Sequence, residues 1–144
     1  MHRLAREEAL TSAFSRRGEP AIGVICMYSE QKRRIEREWS QQPFTEAFRR
    51  VVVIDTVDAY QGKENEIVIV TLVRSNSLKA PGHVGRPNRC NVALSRAKER
   101  LYIVGDTRMW SNPKCDSPMR TVLSQLKGMK NSDGDIRPAA EISQ

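Results

Sequence analysis

Two nearby stretches of the chain decide its fold class. Residues 51–76 read VVVIDTVDAYQGKENEIVIVTLVRSN, and residues 85–106 read GRPNRCNVALSRAKERLYIVGD. They contain three short apolar runs rich in valine and isoleucine, at Val51–Ile54, Ile67–Val73 and Leu101–Val104. Runs that hardly alternate between polar and apolar residues are typical of strands buried on both faces of a parallel sheet. The two stretches therefore predict an α/β fold.

A strand and a helix are predicted upstream of these runs. The segment Ile22–Tyr28 is apolar and reads as another buried strand. Ser29 is a candidate N-cap for a helix that runs to about Ser40, with Ile35 and Trp39 facing the core. Strand, helix and strand in succession form a βαβ unit, which requires parallel strands. We therefore predict a parallel sheet flanked by helices.

Polar residues follow the predicted strands at the points where ligand sites form in such sheets. Asp55-Thr56, Arg74-Ser75-Asn76 and Gly105-Asp106 come directly after apolar runs. Open parallel sheets bind ligands just beyond the carboxyl ends of their strands. The pattern predicts a site for a nucleotide or a nucleic acid at this edge.

Composition narrows the class of partner. The chain has 144 residues, a net charge of +7 and a hydrophobic fraction of 39%, which suit one globular domain with a basic surface. Such a balance favours nucleic acid as the partner over a membrane. The three cysteines and two histidines show no metal-ligand spacing, so we predict no metal site and a reducing compartment, cytoplasmic or nuclear. No apolar run is long enough to cross a bilayer.

An arginine-rich segment from Asn88 to Arg100 predicts an amphipathic helix. At 3.6 residues per turn, one face is apolar, made of Cys90, Ala93, Leu94 and Ala97. Beside that face lies a stripe of three arginines, Arg89, Arg96 and Arg100. Guanidinium groups held next to a buried face suit bidentate phosphate recognition. A solvated basic face has the same spacing, so the spacing alone leaves both interpretations of Arg96 open.

The polar turn Asp58–Glu64 joins two of the predicted strands. Gly62 is expected to adopt a φ that other residues resist, or to leave room for a ligand against the backbone. Gln61 and Glu64 are placed to meet a hydroxyl, a water or a metal-bound phosphate, although a merely tight polar turn fits the spacing equally well. Tyr60 is expected to pack in the core and not to stack on a base.

Two features of nucleotide-binding motors are missing from the sequence. No G-x-x-x-x-G-K-[ST] pattern occurs, so the chain has no phosphate-cradling P-loop of its own. No acidic cluster follows a strand to hold Mg²⁺. The chain has arginines for a phosphate and no cradle for one.

Three segments resemble helicase motifs IV, V and VI in the order and spacing of a known family. The segments are Ile22–Tyr28 with Gln31, Thr56–Glu64 continued by Val73–Asn76, and Asn91–Lys98 continued by Leu101–Asp106. The chain thereby resembles the carboxyl-terminal RecA-like domain of superfamily 1B helicases, the group that includes the nonsense-mediated-decay helicase and senataxin. The resemblance covers residues 4–126 and implies a second motor domain, which supplies these motifs to an ATP site between two domains.

The resemblance implies a set of residues that act on ATP. Arg96 matches the motif VI arginine that reaches the γ-phosphate across the domain cleft, which makes it the expected catalytic residue. Gly62 and Glu64 match the motif V positions that close on the nucleotide, and Gln61 lies between them and Tyr60. The family match therefore favours the phosphate interpretation of Arg96.

The resemblance also implies residues that contact nucleic acid. Thr56 and Val57 match the part of motif V that faces the backbone of a single strand of DNA or RNA. Arg74, Ser75 and Asn76 are expected to lie nearby.

The chain departs from the family pattern in what it lacks. The family's Tyr-Arg-Met-His segment and its whole amino-terminal motor domain, with the P-loop, are absent. Residues 1–127 are therefore expected to form an amino-terminally incomplete RecA-like domain, followed by a disordered tail at residues 128–144 that is rich in Gly, Asn, Ser and Asp. ATP and Mg²⁺ are expected only together with the missing motor domain. The alternative is a stranded, non-catalytic helicase fragment that binds nucleic acid or a partner protein.

Overall fold

The computed structural model describes residues 8–12, 20–129 and 134–142. The strands are β1 (Ile22–Cys26), β2 (Val52–Thr56), β3 (Asn65–Leu72) and β4 (Ala97–Gly105). The helices are α1 (Ser29–Gln41), α2 (Glu46–Arg50), α3 (Pro87–Leu94), α4 (Thr107–Trp110), α5 (Pro118–Gly128) and α6 (Ala139–Ile142). A 3₁₀ turn covers Gly82–Gly85, and residues 8–12 are helical.

The four strands form one parallel sheet in the order β2-β1-β3-β4. Ile22 of β1 is level with Val52 of β2 and with Ile67 of β3. The two strands on either side of β1 are thus in register at its amino end. An α/β fold with a parallel, RecA-like sheet and flanking helices is confirmed.

The residues group into two compact units. Among the described residues, the first unit comprises 8–12, 20–73 and 91–105, and it contains all four strands, α1 and α2. The second comprises 74–90, 106–129 and 134–142, and it contains the 3₁₀ turn and the helices α4, α5 and α6. Helix α3 begins in the second unit and ends in the first.

Burial differs among the strands. Ile25 of β1 and Val68 of β3 are fully buried, as predicted for the middle of a parallel sheet. On β4, however, Leu101, Tyr102 and Val104 are between 37% and 55% exposed. The prediction of burial on both faces is therefore wrong for β4. The reason is its place at the end of the strand order, where less of the fold covers it.

The predicted helix from Asn88 to Arg100 is shorter than expected. Helix α3 ends at Leu94, and β4 begins at Ala97, where it pairs with Asn65 of β3. Pairing with β3 outweighs the helical pattern, because each residue of β4 gains backbone hydrogen bonds and packing against the sheet. The stripe of Arg89, Arg96 and Arg100 therefore does not exist, since the three residues lie on a helix, in a link and on a strand.

Helix α1 begins one residue earlier than predicted. Its N-cap is Tyr28, which has an extended backbone and makes no side-chain capping bond, and Ser29 is the first helical residue. The prediction of Ser29 as the cap is wrong. Gln31 is the buried residue of this helix, and Ile35 and Trp39 are half-buried.

The carboxyl-terminal part carries a short helix, α6, within residues 134–142. The disordered tail stays a prediction, and residues 130–133 and 143–144 lie outside the described residues. Across the described ranges, no helix combines the length and the apolar character needed to cross a bilayer.

Candidate nucleotide and nucleic-acid site

The turn whose sequence resembles motif V runs between two strands that are not neighbours. Residues 57–64 leave the carboxyl end of β2 and enter the amino end of β3, while β1 lies between these strands in the sheet. The turn is fastened at its start, where the Val57 amide donates to the carbonyl oxygen of Cys26 at 2.9 Å. Gly62 has a φ of +83°, so the prediction of a conformation that favours glycine is confirmed.

The predicted site residues are divided between the two edges of the sheet. Thr56 ends β2 and is level with Cys26 of β1, which is in turn level with Thr71 of β3. Glu64 and Arg96 immediately precede β3 and β4, at the opposite edge. Six residues of β3 separate the level of Thr71 from that of Asn65, a distance of about 20 Å along the strand. Only Thr56 of these three lies at the carboxyl edge that the sequence singled out.

Arg96 lies in the two-residue link between α3 and β4. Its Nε donates to the carbonyl oxygen of Val92 at 3.1 Å, and its Nη2 donates to the hydroxyl of Ser95 at 2.7 Å. The side chain is half-buried. These bonds orient the planar guanidinium through two of its nitrogens, and Nη1 makes no hydrogen bond to any described residue. An arginine has five N–H donors, so the N–H groups of Nη1 are available to an anion.

The backbone of Arg96 is fixed by the start of β3. The Asn65 amide donates to the carbonyl oxygen of Arg96 at 3.1 Å, which places Glu64 and Arg96 on adjoining chain segments. Gln61, Gly62 and Glu64 are exposed. A Cβ added at Gly62 would meet no atom within 4 Å, so the backbone there is open to a ligand.

Tyr60 packs beneath the turn, as predicted. It is fully buried, and its hydroxyl donates to Oδ1 of Asn65 at 2.5 Å. Burial raises the pKa of Tyr60 above its ordinary value, and the nearby Asp55 raises it further, so the hydroxyl keeps its proton. Asn65 in turn donates through Nδ2 to the carbonyl oxygen of Pro20. The turn is therefore tied to β3 and, through Pro20, to the segment that precedes β1.

Asp55 forms an ion cluster near the carboxyl end of β2. Lys32 of α1 and Lys63 of the turn each contact one carboxylate oxygen, at 2.9 Å and 3.0 Å. Burial alone would raise the pKa of Asp55, but hydrogen bonds from the two lysines and from the Thr56 amide outweigh it and hold the pKa below the ordinary value. The bond to Asp55 raises the pKa of Lys32. The cluster connects a helix, a strand end and the turn.

Gln31, which belongs to the segment that resembles motif IV, has a structural role in this fold. Its Nε2 donates to the carbonyl oxygen of Thr71 at 3.1 Å and to the Thr71 hydroxyl at 2.7 Å. Its Oε1 accepts from the Met27 amide at 3.2 Å. The amide group thus joins the carboxyl ends of β1 and β3 where the strands separate.

Val57 is a poor candidate for a side-chain contact with nucleic acid. It is 2% exposed, and its amide donates to the carbonyl oxygen of Cys26. Its carbonyl oxygen accepts from the Tyr60 amide at 3.3 Å. The half-buried Thr56, by contrast, has a hydroxyl near the surface, 3.4 Å from the Ala59 amide.

Arg74, Ser75 and Asn76 belong to the second compact unit. The Ser75 hydroxyl donates to Asp106 at 2.7 Å, and this bond, together with those from Arg108, lowers the pKa of Asp106 to about 2. The Asn76 side chain closes the following loop through two 3.0 Å bonds to Ala80. Ser75 and Asn76 therefore shape the local chain, and Arg74 is the exposed cation of the three.

The donor set fits a phosphate group better than a metal ion. The Arg96 guanidinium and the bare backbone at Gly62 suit an anionic group. Within the described residues, no three His, Cys, Asp or Glu side chains are grouped as metal ligands.

Sequence reasoning missed the residues that connect the site. No role was predicted for Asn65, Lys32 or Lys63, although Asn65 bonds Tyr60 of the turn and the two lysines bond Asp55 just before it. The one available signal was a polar residue, Asn65, at the start of an apolar run.

Comparison with known proteins shows the family of this chain. A family model described as an AAA domain matches residues 5–108. The chain is 35% identical over 105 residues to the "Helicase required for RNAi-mediated heterochromatin assembly 1" of Schizosaccharomyces pombe, covering 72% of this chain and 10% of that protein. It is 38% identical over 108 residues to "Regulator of nonsense transcripts 1" of Caenorhabditis elegans, covering 73% and 10%. It is 34% identical over 123 residues to the "DNA replication ATP-dependent helicase/nuclease dna2" of Schizosaccharomyces pombe, covering 83% and 8%.

These similarities define the class of protein: a helicase-related, RecA-like α/β domain. The chain belongs to this AAA domain family, and its resemblance to superfamily 1B helicases is confirmed. It spans about a tenth of the length of these curated relatives.

Proposed function

We propose that this chain is the second motor domain of an ATP-dependent superfamily 1B helicase. In that role it supplies motifs IV, V and VI to an ATP site completed by an amino-terminal motor domain, and to a track for single-stranded DNA or RNA. The single observation that carries the proposal is the hydrogen bond from the Asn65 amide to Arg96, because it joins the motif V and motif VI segments. The helicase names of the relatives support the same role in the cytoplasm or nucleus.

Arg96 is the proposed catalytic residue. ATP supplies the phosphoryl group whose transfer to water powers such motors. Arg96 offers Nη1 to the phosphate while Nε and Nη2 stay bonded to Val92 and Ser95, so little side-chain freedom is lost at binding. An arginine in this position is worth roughly 10³–10⁵ in rate in comparable phosphoryl-transfer enzymes.

The turn is the proposed nucleotide-closing element. Glu64 and Gln61 are exposed acceptors and donors beside a backbone that Gly62 leaves bare, which suits hydroxyl and phosphate oxygens. Thr56, Arg74, Ser75 and Asn76 are the proposed nucleic-acid residues, and the buried Val57 holds the start of the turn beside Thr56. Since Thr56 lies about 20 Å along the sheet from the level of Arg96, the two ligands would occupy opposite edges.

The test is steady-state ATPase activity of this chain mixed with, or fused to, a P-loop-bearing amino-terminal motor domain, at saturating single-stranded oligonucleotide. Arg96→Ala is expected to lower turnover by orders of magnitude and to leave oligonucleotide affinity nearly unchanged. Arg96→Lys should not restore turnover, because a single ammonium nitrogen cannot keep the bonds to Val92 and Ser95 and contact the phosphate as three guanidinium nitrogens can.

Arg100→Ala is the matched control, since Arg100 is an exposed arginine four residues along the chain on β4. Equal losses at Arg96 and Arg100 would contradict the proposal. Nucleic-acid binding with no stimulated ATPase in any mixture would favour the non-catalytic module instead.

A further inference from the structure

We infer that Asn65 is a positioning residue that couples the Gly62 turn to Arg96, so that the two proposed nucleotide contacts form and break together. The inference deepens the proposed function and rests on it for its catalytic meaning. The coupling itself is a property of this chain's own contacts.

Asn65 is the centre of three hydrogen bonds to three different segments. Its Oδ1 accepts from the Tyr60 hydroxyl, its Nδ2 donates to the Pro20 carbonyl, and its backbone N–H donates to the Arg96 carbonyl. Asn65 is 6% exposed and Tyr60 is fully buried. A buried polar group that lacks a hydrogen bond costs free energy, because it bonds water in the unfolded chain and nothing in the folded one. Breaking any of these three bonds is therefore unfavourable, and the bonded groups hold one another in place.

The Tyr60 hydroxyl reaches Asn65 because β1 leaves room for it. A Cβ at Gly23 would collide with the oxygen of Tyr60 and would lie 2.8 Å from its Cζ and 2.9 Å from Oδ1 of Asn65. The ring therefore occupies the space of a missing side chain. Tyr60 belongs to the turn, two residues before Gly62, so the turn can shift only if this contact breaks.

The other end of the network holds Arg96 where the chain changes from helix to strand. Asn65 pairs with Ala97, but the next pair is Ile67 with Arg100, so the register shifts by one residue directly after the link. At such an irregularity the ladder gives less support, and the Asn65 amide holds the Arg96 carbonyl in place. A displacement of Asn65 would move the Arg96 backbone and hence its guanidinium.

Misplacing a catalytic group by 1 Å can cost about 10²-fold in rate. The network therefore explains why the turn and Arg96 would move together. A shift of the turn displaces Tyr60, Tyr60 displaces Asn65 through their hydrogen bond, and Asn65 displaces the link that contains Arg96. The side chains of Tyr60 and Asn65 touch no proposed ligand themselves, so their role is positioning.

The first experiment measures the coupling in the full 144-residue chain. Tyr60→Phe removes one hydroxyl and keeps the ring, and Thr71→Val removes a comparable hydroxyl contact, with Gln31, that has no link to Arg96. Amide hydrogen exchange is followed at Asn65 and in the middle of β3. The exchange rate of the Asn65 amide is expected to be about tenfold higher in Tyr60→Phe than in Thr71→Val, while the rates in the middle of β3 are the same in both variants. Equal increases at Asn65 in the two variants would overturn the coupling.

The second experiment measures its consequence for turnover. In the mixture with a P-loop-bearing motor domain, Tyr60→Phe and Asn65→Ala should lower kcat by about 10- to 100-fold, and Thr71→Val should not. In the double variant the two losses should be less than additive, because they act through one contact. If Asn65→Ala fails to fold, Tyr60→Phe alone still decides the outcome.

The two proposals fail in different ways. If Arg96→Ala lowers kcat while Tyr60→Phe matches Thr71→Val, the coupling is overturned and the proposed function stands. If Arg96→Ala leaves kcat unchanged, the proposed function is overturned, and the exchange measurement alone decides whether the coupling exists.

Discussion

At the scale of single residues, Asp55 connects helix α1 to the turn at residues 57–64. The carboxylate is 16% exposed and is shared by Lys32 and Lys63, which come from a helix and from the turn. The two lysines are far apart in the sequence, so no local sequence pattern predicts the cluster. Lys32 also lies 3.7 Å from Glu36, so the two lysines are balanced by two carboxylates.

Asp55 makes a pH prediction possible. Its pKa in the folded chain lies below the ordinary value of 3.8, so the folded state binds its proton less readily than the unfolded state. The stability that Asp55 contributes is therefore fully present above about pH 4 and is lost as the pH falls through the lower, folded value. Asp55→Asn should lower the free energy of unfolding by about 1 kcal/mol at pH 7 and by much less near pH 2.

Denaturant unfolding at the two pH values measures this difference. Asp116→Asn, at an exposed aspartate, is the control and should change little at either pH. If Asp55→Asn lowers the free energy of unfolding equally at both pH values, packing and not the ion cluster is responsible.

Arg96 was identified from motif order and not from its surroundings in the chain. Spacing placed it on a helical stripe, and the structure places it in a link with a half-buried guanidinium. The link could not be read from the sequence, because residues 95–100 have an acceptable helical pattern and adopt the strand only in the presence of β3.

At the level of elements, the turn at residues 57–64 matters most. It carries the motif V residues, spans β1 and depends on two glycines in different ways. Gly62 needs its positive φ, and Gly23 of β1 provides the space for Tyr60. Gly128, at the end of α5, has neither constraint, since a Cβ there meets no atom within 4 Å.

A series of alanine substitutions separates the two glycine effects. Gly62→Ala should destabilise by about 1–2 kcal/mol, the cost of a left-handed conformation for a residue with a Cβ. Gly23→Ala should cost more, about 3 kcal/mol, because the buried Tyr60 ring cannot move aside without breaking its bond to Asn65. Gly128→Ala should be neutral or slightly stabilising.

The measurement is the free energy of unfolding from denaturant titration of the three variants. If Gly23→Ala lowers the free energy of unfolding no more than Gly62→Ala does, the Tyr60 ring can move aside. That result would count against the proposed coupling through Tyr60.

At the scale of the whole molecule, charge is the property that matters most. The net charge of +7 predicts weak, sequence-indifferent binding to single strands through phosphate contacts. The logarithm of the affinity should fall linearly with the logarithm of the salt concentration. The slope should be shallow, since the amino-terminal motor domain would provide the rest of the track.

Fluorescence anisotropy with labelled oligonucleotides of several sequences, at salt concentrations from roughly 50 to 200 mM, measures this slope. Binding that ignores salt, or that strongly prefers one base sequence, would contradict a phosphate-based track. Arg74→Ala, at an exposed arginine, should reduce the slope by about one.

The sequence by itself determined the α/β class, the parallel strands, the buried Tyr60 and the glycine conformation at Gly62. These features follow from local composition: apolar runs of valine and isoleucine form strands wherever they can pair, and a helix between strands requires a parallel crossover. Motif order then gave the family and the candidates Gly62, Glu64 and Arg96.

Only the tertiary structure decided where α3 ends, that β4 is exposed, and that Glu64 and Arg96 lie on adjoining chain segments at the amino edge of the sheet. It also revealed the contacts of Asn65 and Asp55. The physical reason is that each of these features arises from groups distant in the chain: the Asn65 amide meets a carbonyl 31 residues away, and Lys32 meets a carboxylate 23 residues away. Such pairings exist only when the strand order is fixed, and no local pattern of residues encodes that order.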